Sequence, residues 1–443
     1  MRIHSRRSGE APGNTIAVDR DDDEAISESS IFNGRLHSIN ALAVPNFRLL
    51  WFGMLFSMAA MQMNIICRSW LAYHISGSGL ALGLVALGRG LPQLVLGPIG
   101  GAAADRFDKR TLLISSQFAL FVLSFVTAVL VQLHVIQIWH LILLGFLQGV
   151  IFPFAMPTRT AYIANVVDDT RLANALALDA TGRNLNRVVA PSLGGLLIAV
   201  SPTVAFYAIA AFYAISGLML LRLPSGRAFQ ARSRSILADV TGGLRYLRAE
   251  STLLLLIAMA FVLVLFGRPF QQLLPVFQVD VFHVGPTALG IMFTAVGVGA
   301  VFGSLAAIWV AESPNRRMLQ LGAGITVGVA LTLFAFSPSF YLALFFLAIV
   351  GFMTDCYFTI NRILVMEEAE KEYYGRVLSI YMMTFSLMSL SLVPMGIAID
   401  HVGAPLTIGL AGLLLAAIIT AITIFSPNMR RREDLATAAV ASN

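Results

Sequence analysis

The sequence predicts an all-α polytopic membrane protein with twelve transmembrane helices. Of its 443 residues, 57% are hydrophobic and only 12% are charged, about half the charged fraction of a soluble domain. Windows of about 20 mostly apolar residues, long enough to cross a bilayer, recur along the whole chain. The basic residues are concentrated in every second turn between these windows. Lipid is therefore the predicted solvent, and the net charge of +6 does not indicate a nucleic-acid-binding protein.

The predicted spans form two sets of six, separated by a polar stretch. Several turns on one side are as short as "SPT" at residues 201–203, which predicts antiparallel neighbours. The spans are 48–75, 79–104, 111–133, 138–163, 173–200 and 203–222, then 252–278, 286–311, 318–337, 339–364, 375–399 and 405–426.

The lysines and arginines predict the orientation of these spans. If the N-terminus is cytoplasmic, 25 of the 30 Lys and Arg residues fall in or beside cytoplasmic segments, and none falls in an outer turn. Cytoplasmic loops carry an excess of positive charge, so both termini are predicted to be cytoplasmic. The five remaining arginines lie within spans: Arg68, Arg89, Arg183, Arg187 and Arg268.

The domain organisation follows from the spans. Residues 1–44 are polar and include the acidic run "DRDDDEAISES"; without the apolar core of a signal peptide, they are predicted to be a disordered cytoplasmic tail. Residues 45–222 and 251–427 are predicted to be six-helix bundles, and 428–443 a cytoplasmic tail. The linker, 223–250, contains "LADVTGGLRYLRAE", which predicts an interfacial helix with Arg245 and Arg248 near lipid phosphates.

The two sets of spans resemble each other. "PTRTAYIANVVDDTRLANALAL" joins spans 4 and 5, and "TINRILVMEEAEKEYYGRVLSI" joins spans 10 and 11. Each places an arginine at the end of one helix, an acidic linker, and another arginine at the start of the next helix. Two parallel six-helix repeats are typical of secondary transporters.

The turn between spans 2 and 3, "GGAAADRFDKR", concentrates charge below a run of small residues. Small residues allow helices to approach closely, and a carboxylate is stabilised at the N-terminus of a facing helix. The turn resembles motif A of the major facilitator superfamily, G-x-x-x-D-R-x-G-R-K/R, with Asp108 in place of the second glycine. The matching residues are Gly101, Asp105, Arg106, Lys109 and Arg110.

This resemblance implies the major facilitator fold and a conformational latch. Asp105 is then expected to contact the start of span 11, residues 375–379, in the outward-open state. Other stretches, including "NFRLLWFG", "NALALDATGRNLNRVVAPSLGGLLIA" and "YGRVLSIY", resemble the branch of the superfamily that includes the enterobactin exporter and the transmembrane secretion effectors. The resemblance covers about residues 44–426 and favours export, but it does not identify the cargo.

Span 5 contains "VVAPSLGG", which resembles the antiporter motif G-P-x-x-G-G through Pro191, Gly194 and Gly195. A thin, kinked helix of this kind can rock against the opposite bundle; plain helix packing is the alternative. The branch pattern N-x-x-R-x-x-G-P maps onto Asn184 and Arg187. Two features depart from the family: Gly145 stands where motif B has an arginine, and span 1 has no acid.

Polar residues within spans are candidates for a substrate cavity, because an intramembrane charge costs about 3 kcal/mol and is usually functional. The resemblance implies that spans 1, 4, 7 and 10 line a central cavity. Arginines there would favour an anionic or hydrogen-bond-accepting cargo; alternatively, each snorkels or bonds a neighbouring carbonyl. The candidates are Asn64, Arg68, Arg89, Gln148, Arg268, Gln271 and Asn361.

The intramembrane acids give a candidate for proton coupling. Asp355 is the only acid well inside a span without a base adjacent in sequence, and a buried carboxyl group can exchange a proton near neutrality. The alternative is an ion pair with an arginine of span 5. Asp179 lies four residues before Arg183, so a local ion pair is expected there. Asp280 and Asp400 lie at outer ends and are expected to be solvated.

The predicted function is proton-coupled export of a small amphipathic molecule, such as a siderophore, drug or metabolite, by alternating access in the cell membrane. The alternatives are a proton-coupled uptake symporter and a non-transporting membrane sensor. No nucleophile, carboxylate pair or histidine cluster indicates an enzyme, and Cys67 and Cys356 form neither a disulfide framework nor a metal motif. The expected partners are a small-molecule substrate and the lipid bilayer, without nucleic acid or cofactor, and the expected state is a monomer.

Overall fold

The structure, a computed structural model, describes residues 41–225, 242 and 245–425. For residues 98–106, 371 and 425 it describes the backbone only. The predicted tails, apart from residues 41–44, lie outside the described residues. Within the predicted interfacial helix, residues 245–249 are helical.

The described residues are almost entirely helical, and the long helices follow the predicted spans closely. They are α1 (Pro45–Ser76), α2 (Gly79–Arg106), α3 (Lys109–Gln132), α4 (Ile138–Val166), α5 (Asp169–Val200), α6 (Pro202–Leu220), α7 (Ser251–Val281), α8 (Pro286–Ala311), α9 (Arg316–Ala335), α10 (Phe340–Glu368), α11 (Tyr374–Val402) and α12 (Ala404–Phe425).

Eleven of these helical segments in the described part of the chain are long and apolar enough to cross a membrane, so the prediction of an integral, multi-pass membrane protein is confirmed. The exception is α5, which has 32 residues. It is long enough to cross a bilayer. It is less apolar than the other eleven because it carries five charged residues: Asp169, Arg171, Asp179, Arg183 and Arg187.

The two halves of the chain repeat one packing pattern. In the first half, α2 packs against α4 and α3 against α6; in the second, α8 packs against α10 and α9 against α12. The halves meet along two extensive helix pairs, α2 with α11 and α5 with α8. Each pairing maps onto another when every helix is replaced by its counterpart six positions away, so the structure contains the predicted repeat.

The helix bundle has two ends. We call the end at which α1 begins and α12 ends the tail face, and the opposite end the distal face. Short connections link the helices at both faces: α5 ends at Val200 and α6 begins at Pro202 on the distal face. Consecutive helices therefore run antiparallel.

Helix α7 is irregular on both sides of its middle. Wide π-helical turns cover Leu263–Gly267 and Phe277–Val281. Proline at 269 has no N–H to donate to the preceding turn, and such local widening of a helix is frequent at functional sites. The irregularity places Arg268 directly after the first π-helical turn.

Candidate functional site

An ion pair joins the two halves near the middle of the helix bundle. Nη1 of Arg187, on α5, lies 2.8 Å from Oδ1 of Asp355, on α10. The side chains are 30% and 17% exposed, so neither is sealed from the space between the halves. The sequence left two roles open for Asp355, proton coupling and an ion pair with an arginine of span 5. The structure shows the ion pair, with Arg187 as the arginine.

A second arginine lies beside this pair against an aromatic wall. Cζ of Arg268 on α7 is 5.2 Å from the centroid of Phe358 and 5.8 Å from that of Phe385, distances at which a guanidinium group is attracted to a ring face. Its Nε is buried and has no hydrogen-bond partner among the described residues. The site therefore combines two cations, one carboxylate and aromatic surface at the junction of α5, α7 and α10.

Glycines bring α5 and α8 into backbone contact beside the ion pair. A Cβ atom added to Gly195 would lie 2.8 Å from Cα of Gly290, and one added to Gly297 would lie 2.3 Å from the carbonyl oxygen of Arg187. The hydroxyl groups of Ser192 and Thr294 are 2.7 Å apart across the same interface.

The other residues of the predicted span 5 motif lie close by. A Cβ on Gly194 would meet Met63 of α1 at 3.5 Å, so this glycine packs within the first half rather than between the halves. Pro191 is buried, and its carbonyl oxygen faces Gly290. Asn184 is half-buried on the same helix.

The second helix pair, α2 with α11, is in contact mainly near the distal face. A Cβ on Gly79 would lie 2.7 Å from the carbonyl oxygen of Gly396, and one on Gly83 would lie 2.7 Å from that of Leu392. Because the approaching atoms are backbone atoms, no larger side chain fits at these positions without moving a helix.

Two carboxylates at the outer ends are exposed to solvent, as expected, and also accept hydrogen bonds across the distal face. Asp400, at the end of α11, accepts hydrogen bonds from the Ser78 hydroxyl at 2.7 Å and from the backbone N–H groups of Gly79 at 2.6 Å and Leu80 at 3.0 Å. It therefore caps the N-terminus of α2 from the opposite half, where negative charge is favoured. Asp280 accepts a hydrogen bond from the hydroxyl group of Tyr73.

The motif A turn lies on the tail face. The side chains of Gly101, Asp105 and Arg106 lie outside the described part of the structure, as does the predicted latch contact. Lys109 is buried, and Arg110 donates to the carbonyl oxygen of Leu221 at 2.5 Å. Asp108 accepts from the backbone N–H of Thr111 at 2.8 Å: the acid in place of the motif's glycine is the N-cap of α3.

Four of the predicted cavity residues lie inside the first half. Asn64, Arg89 and Gln148 line a pocket whose described lining comes from α1–α4 and α6. Arg68 lies one turn from Asn64, and a Cβ on Gly145 would be 2.8 Å from its Nη1. A guanidinium group from α1 thus occupies the space beside the glycine that replaces the motif B arginine.

Two further cavity candidates belong to the second half. Asn361 is fully buried, and its Nδ2 donates to the carbonyl oxygen of Leu256 at 3.1 Å, which ties α10 to α7. Gln271 is half-buried on α7, three residues beyond Arg268.

A buried ion cluster on the tail side was only partly predicted. Asp179 accepts hydrogen bonds from both Arg183 and Arg159, and the side chains of Asp179 and Arg159 are 5% and 6% exposed. The spacing of four residues identified the pair with Arg183. The contact with Arg159, on α4, depends on tertiary packing and has no local sequence signal.

Comparisons with known proteins agree with this architecture. The family described as transmembrane secretion effector matches residues 37–442. Macrolide efflux protein A of Streptococcus pyogenes is 24% identical over 84% of this chain and 94% of its own length. The multidrug efflux pump Tap of Mycolicibacterium fortuitum is 28% identical over 86% and 96%, and the enterobactin exporter EntS of Citrobacter koseri is 23% identical over 69% and 70%.

Among solved structures, the nucleoside transporter NupG (D323A mutant) aligns with a TM-score of 0.69 at 14% identity, covering 85% of this chain and 99% of NupG. At this identity the likeness shows the fold. The resemblance drawn from the motifs is confirmed: the chain belongs to the transmembrane secretion effector family of major facilitator superfamily transporters.

Proposed function

We propose that the protein is a proton-driven exporter of small amphipathic molecules. The observation that supports this most directly is the ion pair between Arg187 and Asp355, which joins the halves beside the tightly packed α5–α8 interface. Its carboxylate is the proton carrier in this proposal. The efflux proteins among the relatives support the outward direction.

The proposed topology has twelve spans with both termini in the cytoplasm. Helix α5 crosses the membrane in spite of its charges because they are paired within the protein: Asp179 with Arg159 and Arg183, and Arg187 with Asp355. A pairing partner lowers the cost of an intramembrane charge. The basic turns then lie on the tail face, which is cytoplasmic.

In this topology the outer side of the protein is closed, as in the inward-facing state of an alternating-access cycle. Among pairs of described residues, the hydrogen bonds and ion pairs between the halves lie at the distal face or near the middle of the helices. The distal contacts of Asp400 and Asp280 close the outer side. Rocking the halves about the midplane breaks these contacts and opens the distal face.

The proton step follows from the position of Asp355 between the halves. In this proposal the ion pair between Arg187 and Asp355 is intact while the distal face is closed. When the halves separate, Asp355 loses this partner and becomes accessible to protons from outside. Cargo that binds in the inward-facing state is exchanged for this proton.

The test uses inverted membrane vesicles, whose lumen corresponds to the outside of the cell. With an acidic lumen, the exporter accumulates cargo in the vesicle, whereas a proton symporter for uptake depletes it. The probes are erythromycin, tetraphenylphosphonium and a catecholate siderophore. Asp355→Asn is expected to abolish gradient-driven accumulation, because the neutral amide cannot take up and release a proton.

Glu312→Gln, an exposed acid at the end of α8, is the matched control and is expected to behave like the wild type. Accumulation that survives Asp355→Asn would exclude Asp355 as the proton carrier. Depletion of every probe under the same gradient would exclude export.

A further inference from the structure

The pocket inside the first half is positively charged and contains unpaired polar atoms. Its polar lining comprises two arginines, three amides, one phenol and one serine hydroxyl, and no described Asp or Glu lines it. The residues are Arg89, Arg159, Asn64, Gln117, Gln148, Tyr213 and Ser57. Arg159 is paired with Asp179. The charge of Arg89 has no carboxylate beside it in this lining.

The amides of the pocket are nearly fully buried and only partly bonded. Asn64 is 2% exposed, and neither its Nδ2 nor its Oδ1 has a partner among the described residues. Gln148 is 5% exposed, and its Nε2 is likewise without a partner. A buried polar group without a hydrogen bond costs about 1–3 kcal/mol, so a cluster of such groups indicates a site that a polar ligand completes.

Arg89 lines this end of the pocket, and a second guanidinium group, that of Arg68, lies close to it. Cζ of Arg89 is 5.6 Å from the centroid of Phe152. Arg68 lies one turn beyond Asn64 on α1, is 5% exposed, and has three nitrogens without a hydrogen-bond partner in the described structure. One buried and one half-buried cation close together, with no described acid between them, are expensive in a membrane protein, and an anion would offset that cost.

The remainder of the lining is apolar and adaptable. Between Met54 and Asn64 the pocket follows α1 for ten residues, about 15 Å at the rise of an α-helix. Methionine side chains adjust to irregular ligands; the methionines that line the pocket are Met54, Met58, Met61 and Met156. This combination of a long apolar wall and a polar, cationic end is typical of a site for an organic molecule rather than for a halide ion.

We propose that this pocket binds an amphipathic organic anion. The anionic group is held by Arg89 with Asn64 and Gln148, and the apolar body lies along the methionines toward the tail face. The inference rests on the proposed function in that it names the class of cargo. Binding itself needs no proton gradient, so it is measured separately from transport.

The experiment measures binding of tritiated 1-naphthoate to the full chain in nanodiscs by scintillation proximity. Competitors of the same shape are 1-naphthamide, which is neutral, and 1-naphthylmethylamine, which is cationic. Naphthoate is expected to bind at least about tenfold more tightly than either competitor, the effect of one charge-assisted hydrogen bond. Arg89→Met is expected to remove this preference, Arg89→Lys to retain most of it, and Arg222→Met, at an exposed residue after α6, to leave it unchanged.

Equal affinities for naphthoate and naphthamide, or an unchanged preference in Arg89→Met, would overturn the proposal. Binding of chloride that depends on Arg89, without binding of naphthoate, would also overturn it in favour of an inorganic ion site. If Arg89→Met does not fold, Gln148→Leu is expected to weaken naphthoate more than naphthamide. Naphthoate binding without proton-driven transport contradicts only the proposed function, and proton-driven transport without this preference contradicts only the present inference.

Discussion

The contacts of Asp400 predict how strongly the distal face is held closed. This carboxylate accepts three hydrogen bonds at the start of α2, as an N-cap residue would within one chain segment. Loss of an N-cap costs about 1 kcal/mol, and loss of the negative charge at a helix N-terminus costs up to about 1 kcal/mol more. Asp400→Ala is therefore expected to weaken the closed form by about 2 kcal/mol, which lowers the ratio of closed to open molecules about 30-fold.

Double electron–electron resonance measures this ratio. Spin labels at Val135 and Pro338, both exposed in distal turns, report the separation of the two halves. The native cysteines, Cys67 and Cys356, are buried and remain in place. The distance distribution of Asp400→Ala is expected to gain a long component that the wild type shows weakly.

Asp400→Asn provides the graded comparison. Asparagine caps helices about as well as aspartate, so only the charge contribution is lost. The ratio is then expected to fall about fivefold, for about 1 kcal/mol. A distribution for Asp400→Ala identical to that of the wild type would refute the role of this cap, as would an Asn variant that opens as far as the Ala variant.

Two further predictions concern packing. Gly290→Ala places a Cβ 2.9 Å from the carbonyl oxygen of Pro191 and is expected to abolish transport. Gly322→Ala places a Cβ where no atom lies within 4 Å, so this control is expected to preserve transport. Equal transport by both variants would contradict the role of the α5–α8 contact. Asn361→Ala removes the hydrogen bond to the Leu256 carbonyl oxygen and is expected to lower the free energy of unfolding by about 1–3 kcal/mol. The measurement is a lower Tm in detergent. An unchanged Tm with lost transport would make Asn361 a cargo-binding residue instead.

The positions of the helices were largely predictable from sequence because each depends on a local property. Length and hydropathy predicted the eleven apolar spans, and short turns predicted antiparallel neighbours. Hydropathy alone does not identify helix α5 as a span. Its charges lower its hydropathy, and only the motifs around Pro191 and the turns on each side predicted a span there.

The contacts between helices were less predictable because they depend on which faces meet. Asn64 and Arg68 share one face of α1, but sequence alone did not show that this face turns toward α2 and α4 rather than toward the second half. The hydrogen-bond partners of the distal acids were not predicted, for the same reason. Their partners, the start of α2 for Asp400 and Tyr73 for Asp280, lie more than 200 positions away in the chain.

In the proposed cycle Asp355 gains a proton when the distal face opens and releases it when that face closes. Infrared spectroscopy tests this step directly, since a protonated carboxyl group has a C=O stretch that a carboxylate lacks. The band is expected in Asp400→Ala at mildly acidic pH, weakly in the wild type under the same conditions, and not when Asp355→Asn is added. A band that persists in the double variant, or one equally strong in the wild type, would contradict the role of Asp355 as the proton carrier.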